Sequence, residues 1–228
     1  MSWFVRMDKS DPAYRGQADY TPLLLDLYDP IVIGVVAGLV WRVPREPLLD
    51  NYRQNIRDGH LDVGPGTGYI IERSGLPDGS RITLLDPNTH VLEHASRKLR
   101  RFDITTVEAD VLKPLPVQGP FDSAGMNMVI HCLPSPPSRK AIAIRNVADV
   151  LSPAGTLFGA TILGRSGDHS WLARRVLSAF NRQGGFDNFD DSEASLREML
   201  EASFEEISIQ IVRSAALFQA RRPRPRAA

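Results

Sequence analysis

This chain of 228 residues has one cysteine, no net charge and no apolar run long enough to span a membrane. Cys132 is the single cysteine, which excludes an internal disulfide and a zinc site made of several cysteines. Basic and acidic residues number 27 each, so the net charge is zero and the surface as a whole does not attract a polyanion. We therefore expect a protein of a reducing, cytoplasmic compartment that does not bind nucleic acid.

No stretch of the sequence is typical of a membrane segment. The apolar run at residues 31–41 is about half as long as the ~20 residues that span a bilayer. The first residues lack the basic and then apolar segments of a signal peptide. We expect no membrane partner, and we interpret residues 31–41 as a buried helix or a lid.

Strand-like and helix-like segments alternate from residue 60 onward, without an internal repeat. The predicted strands are residues 60–64, 81–86, 104–110, 121–127, 156–163, 206–212 and 215–221. The predicted helices are residues 67–75, 88–101, 138–151, 171–183 and 192–202. This alternation predicts an α/β fold with a doubly wound, mostly parallel, seven-stranded sheet and a terminal antiparallel hairpin.

Three regions follow from this pattern. Residues 1–59 are predicted to form an N-terminal helical cap or lid over the carboxyl edge of the sheet, and residues 60–220 the Rossmann-like domain. Residues 221–228 are basic and rich in proline, and they are predicted to be a disordered tail because they cannot bury apolar area.

The stretch HLDVGPGTGY, residues 60–69, places three glycines directly after the first strand. A dinucleotide site requires a third glycine at the sixth place of G-x-G-x-x-G, which is tyrosine or isoleucine here. The spacing present is D-x-G-x-G-x-G, formed by Asp62, Gly64, Gly66 and Gly68. Asp62 would repel a pyrophosphate, whereas it suits a ligand that carries an ammonium group.

Two more acids occupy corresponding places along the chain. Asp86 ends the second predicted strand and Asp110 ends the third, at the sheet edge where ligands of such folds bind. The first could accept the hydroxyl protons of a ribose, and the second an amine proton of adenine. An ammonium, a ribose and an adenine in a row describe S-adenosylmethionine.

These residues belong to stretches that resemble the class I S-adenosylmethionine-dependent methyltransferases and, more weakly, the small-molecule methyltransferases of secondary metabolism. The stretches are LDVGPGTG, ITLLDPN, VEADVLKPLP, FDSAGMNMVIHCLP and VLSPAGTLF, in the family's order. The resemblance implies S-adenosylmethionine as cofactor. The cofactor-binding residues that it implies are Asp62, Gly64, Gly66, Gly68, Asp86, Asp110, Val111, Asn127 and Met128.

Each of these positions also has a simpler interpretation. The glycines could mark only a tight turn between strand and helix, Asp86 could begin a turn, and Asp110 could be a helix N-cap. Cys132 stands among apolar residues and is interpreted as core packing.

Two histidines are candidates for a general base, should the acceptor have to lose a proton. His131 follows the fourth strand, and His169 lies in the loop after the fifth. The alternative for His131 is a histidine that shapes the pocket or bonds to backbone. His60 precedes the first strand at the opposite side of the sheet, and we set it aside.

Large aromatic residues of the cap are expected to set specificity. Tyr20 and Trp41 are predicted to contact a hydrophobic or aromatic substrate, and Tyr28 to contact the cofactor. Tyr28 and Trp41 could equally be the core of a lid.

The sequence thus predicts a methyltransferase that acts on a small, hydrophobic or aromatic molecule of natural-product type, with no metal. The alternatives are a natural-product cyclase or another non-methylating enzyme with the same cofactor site, and a non-catalytic interaction protein. The sequence does not decide the oligomeric state, and a homodimer is one of the states that it allows.

Overall fold

One seven-stranded sheet organises the part of the chain that the computed structural model describes, residues 40–225. The strands are β1 His60–Val63, β2 Arg81–Asp86, β3 Asp103–Glu108, β4 Phe121–Asn127, β5 Leu151–Ile162, β6 Phe204–Val212 and β7 Ala215–Pro223. Their order across the sheet is β3-β2-β1-β4-β5-β7-β6. Strands β1 to β5 pair in parallel, whereas β7 is antiparallel to both β5 and β6. The predicted fold class is confirmed.

Helices cover both faces of this sheet. They are α1 Arg45–Asn55, α2 Tyr69–Glu72, α3 Thr89–Lys98, α4 Pro137–Ala148, α5 Trp171–Gln183 and α6 Glu193–Glu201. Alternation along β1 sends Leu61 into the apolar cluster that α4 and α6 cover. His60 and Asp62 therefore face the other layer, which contains α1 and α3. None of the helices within residues 40–225 has the length and apolar character of a membrane span.

Short polar signals fix where several helices begin. The side chain of Asn88 accepts the backbone N–H of His90 and caps α3, as the sequence predicts. Ser192 and Ser195 form a reciprocal capping box at the start of α6. Pro137 is the first residue of α4, so the proline pair after β4 starts a helix.

Strands β5 and β7 extend beyond their predicted bounds, because strand pairing continues further than the local pattern suggests. Strand β5 begins at Leu151, so the segment SPAG, interpreted as a break before the strand, lies within it next to an irregularity in its pairing with β4. Strand β7 continues to Pro223, which pairs with Phe204. The first three residues of the predicted tail, 221–223, are therefore part of the sheet.

Helix α1 lies within the predicted cap. Its residues pack on the face of the sheet, with Asn51 donating from Nδ2 to the carbonyl of Gly159 at 3.0 Å. The Tyr52 ring lies edge-on to Phe158 with centroids 4.8 Å apart. The segment after residue 44 is therefore part of the layer that covers the sheet. Residues 1–39 of the predicted cap, with Tyr20 and Tyr28, lie outside the described residues.

Candidate active site

A cleft opens at the carboxyl ends of β1 and β2, between the segments that follow β3 and β4. Four predicted cofactor-binding residues lie in its wall: Gly64, Asp86, Asp110 and Val111. The other lining residues are Val63, Leu85, Pro87, Val129, Cys132, Leu133 and Pro134. The topology thus brings together groups from four separate stretches of the sequence at one edge of the sheet.

The glycine loop between β1 and α2 has a backbone that other residues rarely adopt. Gly64, Gly66 and Gly68 have φ values of +67°, +55° and +76°, in the left-handed region that glycine enters at little cost. A Cβ at Gly64 would lie 2.6 Å from Cγ2 of Val129. A Cβ at Gly66 would meet no atom of residues 40–225 within 4 Å. Among these residues, the loop is therefore tight against the segment after β4 and open at its middle glycine.

Asp86 ends β2 with a carboxylate at the cleft. Its Oδ1 accepts the N–H of Asn88 at 2.8 Å, so the residue does begin the turn that the simpler interpretation foresees. Burial raises the pKa of Asp86 to about 7, against a smaller effect of the Asn88 hydrogen bond. Both interpretations of this residue can hold, since its second oxygen takes no part in the turn bond.

Asp110 lies two residues beyond the end of β3, in the turn that carries Val111. Its Oδ1 accepts the N–H of Leu112 at 2.9 Å, which is a turn bond and not a helix N-cap. The side-chain amide of Asn146 on α4 donates to the carbonyls of Val111 and Lys113, both at 2.9 Å. This amide fixes the turn as one wall of the cleft, a role that the sequence did not reveal.

Asp62, the first residue of the glycine motif, is buried at the end of β1 and is not among the residues that line the cleft. Its Oδ2 accepts the hydroxyl of Tyr52 at 2.9 Å and lies 3.2 Å from Nε2 of His60. His60 is the first residue of β1 and faces the same layer as Asp62. His60 thus lies at the amino end of β1, away from the cleft, but its side chain contacts Asp62.

The end of β4 lies next to the cleft without lining it. Met128 has φ +59°, and its N–H donates to the carbonyl of Ala160 at 2.7 Å. Its side chain packs against the apolar cluster beyond β5. Neither Asn127 nor Met128 lines the cleft, whose wall here is made by Val129 and the residues after it.

His131 sits in a short 3₁₀ helix, Ile130–Cys132, and is buried. Its Nδ1 accepts the N–H of Ile162 at 3.2 Å and lies 3.3 Å from Oγ1 of Thr161. Burial lowers the pKa of His131 to about 3, with a smaller contribution from the charge of Lys140. This geometry favours the alternative in which the imidazole bonds to backbone.

His169 has both ring nitrogens engaged. Nδ1 lies 2.9 Å from Oγ of Ser214, and Nε2 lies 2.7 Å from the carbonyl of Gly164. Trp41 packs edge-on against this ring with centroids 6.0 Å apart, and both side chains are buried. The geometry leaves neither nitrogen of His169 for a substrate proton and places Trp41 in core packing.

Other site features were missed or misjudged. Cys132 lines the cleft and is not simply core, and burial raises the pKa of its thiol to about 12. Behind it, Lys140 is fully buried and donates to Oδ2 of Asp191 at 2.6 Å and to the carbonyl of Asp187 at 2.7 Å. The N–H of Asp187 donates to the carbonyl of His131 at 3.0 Å. No local sequence signal links residues so far apart along the chain.

The cleft fits an adenosyl cofactor in three respects. Asp86 presents a carboxylate at the end of β2, the turn after β3 presents the buried Val111, and no atom of residues 40–225 fills the space beside Gly66. Within residues 40–225, no group of three or more His, Cys, Asp or Glu residues could hold a metal ion. Fold and cleft together define an α/β enzyme of the nucleotide-cofactor type.

Comparison with known proteins narrows this class. A family model described as a methyltransferase domain matches residues 61–157. The demethylluteothin O-methyltransferase of Streptomyces thioluteus is 36% identical over 191 residues, 83% of either chain. The physcion biosynthesis cluster O-methyltransferase of Aspergillus chevalieri is 34% identical over 221 residues, 96% of this chain and all of the relative. The chain belongs to the class I S-adenosylmethionine-dependent methyltransferases.

Solved structures agree with this fold. The N-methyltransferase NodS of Bradyrhizobium japonicum WM9, in complex with S-adenosylhomocysteine, superposes with a TM-score of 0.57 at 20% identity, over 79% of this chain and 86% of that one. PigF with S-adenosylhomocysteine superposes with a TM-score of 0.62 at 14% identity, over 88% and 64%.

Proposed function

We propose that this enzyme transfers the methyl group of S-adenosylmethionine to a hydroxyl of a small, hydrophobic or aromatic natural product. The cleft that joins the glycine loop to Asp86 and Asp110 carries the proposal for the cofactor. The names of the two O-methyltransferase relatives support the acceptor class. A third relative, the N-methyltransferase vrtF of Penicillium aethiopicum, is 36% identical. Nitrogen is therefore the alternative acceptor atom, to be tested against oxygen.

The cofactor would lie along the ends of β1, β2 and β3. Oδ2 of Asp86, which takes no part in the turn bond, would accept hydrogen bonds from the ribose hydroxyls. Asp110 and Val111 would hold the adenine, and the loop from Gly64 to Gly68 would pass beneath the methionine half. The cofactor supplies a methyl group on a positively charged sulfur, which is transferred by in-line displacement.

The protein's part in the reaction would be positioning. Holding an acceptor oxygen against the methyl group can be worth ~7–11 kcal/mol without any proton transfer by a side chain. The hydrogen bonds of His131 and His169 support a mechanism in which neither is the base. We propose that His131 shapes the pocket through the segment after β4, and that the acceptor proton leaves to solvent.

Product analysis tests this proposal. The enzyme is incubated with S-adenosylmethionine deuterated at the methyl group and with matched phenol and arylamine acceptors. The masses of the products are then measured by mass spectrometry. A labelled methyl on the phenol is expected. Labelled arylamine alone would contradict the hydroxyl assignment. An acceptor that changes without gaining the label would refute methyl transfer in favour of a non-methylating reaction.

The Asp86→Asn variant serves as the matched control. It keeps the shape of the side chain but lacks the charged acceptor for the ribose, so the rate at low cofactor concentration should fall while the regiochemistry stays the same. An unchanged rate at low cofactor concentration would contradict the assignment of Asp86 to the ribose. It would have no bearing on the class of acceptor.

A further inference from the structure

A continuous series of hydrogen bonds leads to Asp62, the acid at the start of the glycine motif. The N–H of Arg57 donates to Oγ of Ser123 at 2.9 Å, and this oxygen lies 2.8 Å from Nδ1 of His60. Nε2 of His60 lies 3.2 Å from Oδ2 of Asp62, which also accepts the hydroxyl of Tyr52 at 2.9 Å. The four side chains of this series are buried, and they are referred to below as the Asp62 network.

The direction of each proton follows from these partners. Because Ser123 already accepts from the backbone, its own hydroxyl proton is free to go to Nδ1 of His60. The ring proton then sits on Nε2, where it points at the carboxylate of Asp62. Burial raises the pKa of Tyr52 well above its ordinary value, so that its hydroxyl also remains a donor. Two donors therefore converge on Oδ2, and neither of them binds Oδ1.

The sheet makes room for this arrangement. Asp62 pairs with Gly125 on the neighbouring strand β4. A Cβ at Gly125 would lie 2.7 Å from Oδ2 of Asp62 and 2.8 Å from the Tyr52 hydroxyl. The glycine in the middle of β4, which costs strand stability, is therefore a condition for the network.

We infer that Tyr52 and His60 are positioning residues for cofactor binding: they hold Asp62 by Oδ2 so that Oδ1 is presented to the amino-acid half of S-adenosylmethionine. A buried carboxylate without these donors would have to find others or take up a proton. The inference rests on the proposed placement of the cofactor, with Asp62 near its ammonium group. Helix α1, outside the glycine motif, would then take part in cofactor recognition.

Two ligands separate this role from a merely structural one. S-Adenosylhomocysteine has the amino-acid half, whereas 5′-methylthioadenosine keeps the adenosyl and sulfur groups and lacks it. The Tyr52→Phe variant removes one donor without changing the ring. Calorimetry should show S-adenosylhomocysteine binding about tenfold more weakly, the size expected for loss of a hydrogen bond to a charged group. Binding of 5′-methylthioadenosine should stay within about twofold.

Controls make each outcome decisive. Ser192→Ala removes the capping box of α6, and it should lower the melting temperature without favouring either ligand. Asp62→Asn should reproduce the selective loss of S-adenosylhomocysteine affinity. In the double variant, Tyr52→Phe should weaken binding little beyond the effect of Asp62→Asn alone. If Asp62→Asn affects both ligands equally, the placement of the ammonium is wrong. If Asp62→Asn is selective but Tyr52→Phe is not, the placement stands and the positioning role is refuted.

A second variant tests the far end of the network. Ser123→Ala leaves the Tyr52 bond intact but removes the partner that fixes the His60 tautomer. It should weaken the binding of S-adenosylhomocysteine by a smaller factor than Tyr52→Phe does. The affinity for 5′-methylthioadenosine should again stay unchanged. Equal weakening of both ligands by folded Ser123→Ala protein would overturn the inference, even if Tyr52→Phe could not be purified.

Discussion

The binding of S-adenosylhomocysteine should depend on pH through Asp86. This carboxylate stands at the cleft with a single backbone donor on Oδ1, and burial raises its pKa to about 7. In the free protein it is therefore mostly protonated below neutral pH. The ribose hydroxyls donate hydrogen bonds, so they bind best to the ionised carboxylate.

The sign and size follow from linkage. Because the ligand prefers the ionised form, its affinity is fully present above about pH 8 and is lost as the pH falls through 7. At pH 5.5, about 1.5 pH units below the pKa, the affinity should be weaker by up to about 30-fold. Asp86 should act oppositely on the stability of the free protein. Its raised pKa favours folding when the carboxyl is protonated, and this contribution is lost as the pH rises through about 7.

Calorimetry at pH 5.5, 7.0 and 8.0, in two buffers that differ in ionisation enthalpy, would measure both the affinity and the proton released on binding. The Asp86→Asn variant should bind weakly and equally at all three values. An affinity of the parent protein that does not change between pH 5.5 and 8.0 would refute the assignment of Asp86 to the ribose, and so would an identical slope in Asp86→Asn.

Three further predictions concern other parts of the structure. In Gly64→Ala, the new Cβ would lie 2.6 Å from Val129 at a φ of +67°, so urea unfolding should show a loss of ~1–3 kcal/mol and cofactor binding should weaken; wild-type stability would contradict the loop geometry. In His131→Ala, turnover at saturation should stay within a few-fold while KM rises, with no group titrating near 6.5, because burial lowers the pKa of His131 to about 3; a thousand-fold drop in turnover would restore the general-base role. Lys140→Met leaves Asp191 buried without its cation and should cost ~3–5 kcal/mol by chemical denaturation, with partial recovery in Lys140→Met/Asp191→Leu; a single variant as stable as the parent would disprove the pairing.

Periodicity and capping were sufficient to predict most of the fold. Strands β2 and β4 and helix α5 have the bounds that the sequence predicts. These segments end at residues with clear local preferences, such as the aspartate and asparagine that close β2 and open α3. Strand β5 was cut short because its first residues include proline and glycine, which local rules assign to a break. Pairing with β4 overrides that preference.

The candidate site was predictable only where the chain topology alone determines it. Gly64, Asp86 and Asp110 lie at or just beyond strand ends, and parallel strands bring such residues to one edge without further information. Asn146 and Lys140 lie on α4, and their partners are set by how that helix packs on the sheet. Tertiary packing of this kind leaves no local periodicity or spacing to read.

His60 is the clearest case of this limit. The sequence places it before a strand, at the edge away from the ligand, and that position argues against any role in catalysis. His60 is the first residue of β1, and the alternation of the strand turns its side chain to the same layer as Asp62. Residues two apart on a strand face the same side, so Nε2 of His60 lies 3.2 Å from Oδ2 of Asp62. Helix α1 packs on this face, and its Tyr52 donates to the same oxygen. Under the positioning role that we propose, a residue excluded as a base acts on cofactor binding through the acid beside it, and α1 takes part through Tyr52.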